Sequence, residues 1–165
     1  MKELIEAIKS ELGDSRSGLP EDLFLFISQL TPMINVDLLI RNELGETLLT
    51  WREDGFYGPG WHVPGGIIRF KEKASDRIRA VADKELGAQV THGEHPLRVT
   101  EMMNPNRDVR GHFISLLYSC SLSSDPSAQL RVKRNSVKNG EWDWFSRCPE
   151  NMIHQHRVYS DLIGI

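Results

Sequence analysis

Glu85 is an acid where the sequence expects a greasy residue. On a helical wheel at about 100° per residue, Ala74, Ile78, Val81, Ala82 and Leu86 form one broad apolar face, and Glu85 falls within it. A carboxylate turned toward a packed side is costly unless a cation, a metal ion or several donors compensate it. Two readings follow: a metal ligand, or the acid of a salt bridge to an arginine at the core edge. The flanking charges favour a site for an anion. Between Gly66 and Gly87, six basic residues (Arg69, Lys71, Lys73, Arg77, Arg79 and Lys84) outnumber four acids (Glu72, Asp76, Asp83 and Glu85), in a chain of net charge −3. Gly65 and Gly66 allow close backbone approach, and a carbonyl exposed at such a turn can coordinate a hard cation beside a carboxylate. The competing reading is a solvated helix after a glycine turn.

The elements that position these residues are legible from period and punctuation. Residues 2–12 and 21–30 read as helices; Pro20 introduces the second, Glu21 and Asp22 suit the positive end of its dipole, and Thr31-Pro32 ends it. Its run LFLFI is apolar nearly all round, which predicts burial against the domain or a second subunit. From Ile34 the period becomes strand-like, with INVDLLI and ETLLTW on either side of a hairpin loop, RNELG. Asp37 stands alone inside the first of these, where strand alternation also permits an outward carboxylate. The Gly-rich loop REDGFYGPG leads into WHV, the turn PGG and a short strand around Ile67 and Ile68. A helix over 73–86 stops at Gly87, and strands follow at LRVTEMM, HFISLLYSC, QLRVK and EWDWF before a helical tail containing HQHRVYSDL. Strands flanking one central helix make an α+β order.

The 165 residues suit one domain with a real core, and the ordinary charge balance excludes wholesale nucleic-acid binding. No apolar run is long enough to span a bilayer and the N-terminus lacks a signal-peptide core, so a cytoplasmic location is expected, with no membrane partner. Cys120 and Cys148 lack any ligand spacing and read as reduced thiols.

The segment from Gly65 to Gly87 resembles a Nudix box, which runs Gly, five residues, Glu, seven residues, Arg-Glu-apolar-x-Glu-Glu-x-Gly-apolar. Gly66, Glu72, Ala82, Glu85, Gly87 and Ala88 fit at the right spacing, whereas Ala80 replaces the box Arg, and Val81 and Lys84 replace two of its acids. The wider order, TPMINVDLLI, a Gly hairpin, LLTWR, a loop and WHVPGG, is similar to the GDP-mannose mannosyl hydrolase branch, which itself lacks acids at the positions of Val81 and Lys84. Arg77 or Arg79 can substitute for the missing box Arg from a neighbouring turn.

The resemblance implies a Nudix fold, an α/β/α sandwich with a mixed sheet over residues 32–165, preceded by a helical arm over 1–31. It implies Mg²⁺, with Mn²⁺ as an alternative, held by the Gly66 carbonyl, Glu85 and Glu72. Arg52 would bind the diphosphate with Lys84 and Arg79, and Asp37 would contact substrate near the leaving group. The branch directs water to the anomeric carbon of a nucleoside-diphosphate sugar, with a His as base. Its Gln-His pair registers here on Lys138 and Asn139, which can neither ligate nor accept a proton usefully, so His112 becomes the expected base beside Glu85 as the catalytic acid-bearing residue. A homodimer is expected. Two alternatives stand: P–O cleavage of the same class of substrate, and a catalytically silent nucleotide-binding domain.

Overall fold

The computed structural model describes residues 1–133 and 136–164. Side-chain alternation along one central strand divides the molecule into two cores. β1 (Met33–Ile40) pairs in parallel with β7 (His112–Leu122) at the centre of a five-stranded mixed sheet. β4 (Gly65–Ile67) runs antiparallel on the other side of β1, while β6 (Arg98–Met103) and β5 (Val90–His92) pair in turn with β7. Val36, Leu38 and Ile40, with Tyr118 and Cys120, pack on Ile78, Val81, Ala82 and Leu86 of α3 (Ala74–Leu86). Leu39 and Leu117 belong to the second core, closed by an antiparallel sheet ordered β3 (Gly60–His62), β2 (Thr47–Arg52), β8 (Trp142–Phe145), and by the 3-10 helix His154–Leu162. The expected α+β sandwich with a mixed sheet is therefore present.

Several local expectations change. α1 (Lys2–Glu11) contributes no buried residue, and α2 (Glu21–Ile27) ends three residues early, with Phe26 half exposed. The burial expected of LFLFI is not met within this chain. QLRVK forms only an isolated bridge between Arg131 and Trp142 rather than a strand. Both cysteines are free thiols, as expected, with Cys120 buried.

The departures from the box are explained by packing. Arg77, one turn before Ala80, donates through Nε and Nη2 to both carboxylate oxygens of Glu72, at 2.9 and 2.8 Å, with both side chains largely buried. The Arg69 N–H adds a third bond to Glu72 at 2.8 Å. Val81, where the family has an acid, is a core residue against which β4 lies so closely that a Cβ on Gly66 would meet its Cγ2 at 2.8 Å. An arginine supplied from a different turn thus ties the loop before α3 to the helix.

Removing one member of a buried ion pair strands the other. Arg77→Met should lose about 3 kcal/mol in urea unfolding, with part recovered in the Arg77→Met/Glu72→Gln double variant. A single variant as stable as wild type would contradict this role.

Candidate active site

Glu85 reaches inward from α3, as the wheel predicts, and a quarter of its side chain remains exposed. It accepts the hydroxyl of Thr50 at 3.3 Å, and the backbone N–H of Gly65 lies close enough to lower its pKa. The ladder between β1 and β4 decides which glycine carbonyl is available. Leu38 N–H donates to Pro64 O at 2.8 Å and Ile68 N–H to Ile34 O at 2.9 Å, and Val36 faces Gly66 midway between these pairs. Bonded and non-bonded pairs alternate in an antiparallel ladder, so the Gly66 polar groups serve β1 and those of Gly65 point the other way, toward Glu85. The Gly66 carbonyl expected to meet a cation is therefore engaged by β1, and the carbonyl left free is that of Gly65. Burial raises the Glu85 pKa to about 7, against the Gly65 N–H, Arg52 and Thr50, which lower it, and Asp37, which raises it further.

Two histidines that sequence reasoning did not place in the site join it. His62 on β3 faces Thr50 on β2, is 8% exposed, and donates Nδ1–H to the Thr50 carbonyl at 2.8 Å. That bond leaves its Nε2 with a lone pair, 3.8 Å from Glu85 Oε2. His156, on the 3-10 helix, accepts the Val63 N–H at Nδ1 at 3.1 Å, so the neutral ring carries its proton on Nε2. The rings are 5.7 Å apart. Burial, then the neighbouring His156 and Arg52, holds the His62 pKa well below the usual imidazole value; burial and Arg52 bring His156 to about 3. Both are neutral at ordinary pH.

Both histidines line a cavity of about 590 Å³ that also receives Asp37, Arg52, Arg110 and Asn35. Asp37 is fully buried and accepts three hydrogen bonds: Asn35 donates to Oδ1 at 2.8 Å, and Ser115 and Tyr159 to Oδ2 at 2.5 and 2.8 Å. Desolvation outweighs these donors and raises its pKa to about 6. Arg52 bonds Asp54 at 2.6 Å and stacks over Tyr57 at 4.6 Å. Arg110 sits 4.7 Å from Phe56 and 5.5 Å from Phe24 of α2, while its N–H is held by Ser28. Asn35 Oδ1 and Arg110 Nε are buried and have no hydrogen-bond partner among the described residues, which suits a polar ligand.

The structure thus brings together Glu85, Asp37, Arg52 and Gly66 from the expected set, and leaves Glu72, Arg79, Lys84 and His112 outside. Glu72 is consumed by Arg77 and Arg69, as described above. Arg79 is exposed and paired with Asp76 at 2.6 Å, and Lys84 lies exposed on the solvent side of α3. His112 lies on the opposite face of β7 from Phe113 and does not line the cavity, though its Nε2 contacts Glu101 at the cavity's rim at 3.0 Å. Asn139 instead accepts the Glu53 N–H, and both it and Lys138 are exposed. The signal for His62 was its place in WHVPGG, next to the glycines that meet Glu85.

No family model matches the chain. The low-salt glycan biosynthesis protein Agl8 of Haloferax volcanii is 35% identical over 134 residues, which span 79% of this chain and 84% of that protein. A MutT Nudix hydrolase from Burkholderia pseudomallei superposes with a TM-score of 0.60 at 20% identity, covering 80% of this chain and 98% of the other. The chain has the Nudix hydrolase fold and belongs to one family with Agl8. The MutT protein from Methanosarcina mazei Go1 is similar, with a TM-score of 0.60 at 20% identity over 79% and 92% of the two chains. A UDP-X diphosphatase matches with a TM-score of 0.57 at 16% identity, covering 98% of this chain and 66% of that one. On this fold the segment that resembles the Nudix box carries Ala80, Val81 and Lys84 in place of the usual Arg and two acids, and Glu85 is the box acid that reaches the candidate site.

In metal-free protein the folded state binds the Glu85 proton more tightly than the unfolded chain does. That contribution is present below the unfolded pKa, near 4.5, and lost as pH rises through about 7. Glu85→Gln has no proton to lose. Its melting temperature relative to wild type should therefore rise between about pH 5 and about pH 8; a difference independent of pH would contradict the buried environment.

Proposed function

We propose that the protein hydrolyses a nucleoside-diphosphate sugar with one divalent cation, Mg²⁺ or Mn²⁺, by attack of water on the anomeric carbon, in the manner of the GDP-mannose mannosyl hydrolase branch. The observation that carries this reading is the Glu85 carboxylate beside the outward-facing Gly65 backbone, next to a cavity presenting Arg52 and Arg110. A relative named for glycan biosynthesis supports a sugar-bearing substrate.

The donors suit one hard cation. A carboxylate and a backbone carbonyl leave the remaining positions for water and substrate phosphate, the usual arrangement for Mg²⁺. Among the described residues no three His, Cys, Asp or Glu side chains converge, which disfavours a cluster of two or three ions. Glu85 and the Gly65 carbonyl would hold the ion, and a bound cation stabilises the charge that develops on a departing diphosphate.

The chain's own residues supply the rest. Arg52 and Arg110 bind the diphosphate oxygens, and Asp54 and the aromatic rings hold their guanidinium groups in place. His156 donates Nε2–H to a substrate oxygen. Asp37 Oδ1 receives one donor in the protein, from Asn35, and keeps a lone pair for the proton of the attacking water; a pKa near 6 suits an acceptor at neutral pH. The C–O bond breaks with its electrons leaving on the diphosphate, and the sugar emerges with water's oxygen. Asp37 thereby replaces His112 as the base. The homodimer expected from the sequence belongs with this reading, since Leu4, Ile5 and Ile8 of α1 and Phe26 of α2 form exposed apolar surface that a second copy can cover.

Turnover of GDP-mannose in ¹⁸O-water should place label in the free sugar, and label in a phosphate product would establish P–O cleavage instead. Glu85→Gln should reduce metal-dependent turnover on the order of 100-fold or more, whereas unchanged turnover would remove Glu85 from the site.

A further inference from the structure

Glu85 and Gly65 leave the cation one protein ligand short of a three-point grip: Glu72, the third ligand expected, is held by Arg77, and Lys138 and Asn139, where the Gln-His pair of the branch registers, lie exposed in the loop before β8. A different atom stands in reach. The His62 Nδ1–H bond to the Thr50 carbonyl fixes both the ring's orientation and its tautomer, so Nε2 presents a bare lone pair. Nε2 lies 3.8 Å from Glu85 Oε2, beyond hydrogen-bond range, and the Thr50 hydroxyl is 3.3 Å from each of them. Two donors on one ion at about 2.1 Å, subtending about 90–120°, stand roughly 3.0–3.6 Å apart. The observed gap therefore closes with a movement of a few tenths of an ångström.

Building on the metal-dependent reading above, we infer that His62 Nε2 is the third protein ligand of the cation, beside the Glu85 carboxylate and the Gly65 carbonyl. The arrangement has the form seen generally in histidine metal sites, in which the nitrogen away from the metal donates to a carbonyl. It also changes which ion the site prefers. Carboxylate and carbonyl oxygens suit Mg²⁺, whereas an imidazole nitrogen shifts preference toward Mn²⁺, Co²⁺ and other first-row divalent ions. Arg52, Asp54, His156 and Asp37 are the other charged or titratable groups acting on this position. His156 points its protonated Nε2 into the cavity and is not a competing ligand.

The test reads metal binding directly. In wild-type protein loaded with Mn²⁺, electron spin-echo modulation should show coupling to one imidazole ¹⁴N, and calorimetry should give tighter binding for Mn²⁺ than for Mg²⁺. His62→Gln should lose the nitrogen coupling and reduce the Mn²⁺ preference by about tenfold or more, leaving Mg²⁺ binding largely intact. Mn²⁺ bound without nitrogen coupling in the wild type would overturn the His62 ligand while leaving the metal-dependent reading in place. No Mn²⁺ or Mg²⁺ binding at millimolar concentration would overturn both. Because the wild-type spectrum alone decides the nitrogen ligand, a poorly folded variant does not shield the inference.

Discussion

A carboxylate held out of bulk water without a cation of its own is the constraint on which this site rests. Glu85 occupies a position that packing assigns to an apolar residue, and the donors around it, one backbone N–H and one long hydroxyl contact, do not offset its desolvation. Every element near it is placed so that the deficit persists. β4 lies flat on Val81 because Gly66 has no Cβ, which brings the Gly65 backbone alongside. β2 and β3 bring Thr50 and His62 to the same spot through their register. A fold that needed only stability would have an apolar residue here. The cost is consistent with a charge that arrives with the ligand.

The second constraint is the buried network on Asp37. Ser115 of β7 and Tyr159 of the C-terminal 3-10 helix both donate to one oxygen, so the carboxylate joins the central sheet to the chain's end. That 3-10 helix also delivers His156, and the join thereby fixes one wall of the cavity. α2 contributes differently: Phe24 and Ser28 hold Arg110 from outside the sandwich, so the segment that precedes β1 takes part in shaping the cavity.

The fold was legible because its signals are local. The helical face of α3, its stop at Gly87 and the strand-like period of INVDLLI each report a single element, and the box spacing joins them. Glu85 and Asp37 were legible for the same reason, since each is an acid conspicuous within an apolar segment, whereas Arg52 was expected only through the resemblance. What failed depended on partners distant in the chain or on strand parity. Nothing local says that Arg77 rather than a metal takes Glu72, that parity turns His112 away from the cavity, or that the ladder frees the carbonyl of Gly65 and not Gly66. His62 and His156 come from segments 94 residues apart and meet only in the folded molecule. Nothing local marks His156, and only its contacts with Val63 and His62 make it part of a site.

Anomalous diffraction from a crystal soaked with Mn²⁺ and GDP tests the central claim most directly. The account predicts one anomalous peak within about 2.3 Å of a Glu85 carboxylate oxygen and the Gly65 carbonyl, in contact with the diphosphate. A Glu85 carboxylate gripped by the Arg52 guanidinium, with nucleotide bound and no peak beside the glycine turn, would contradict it.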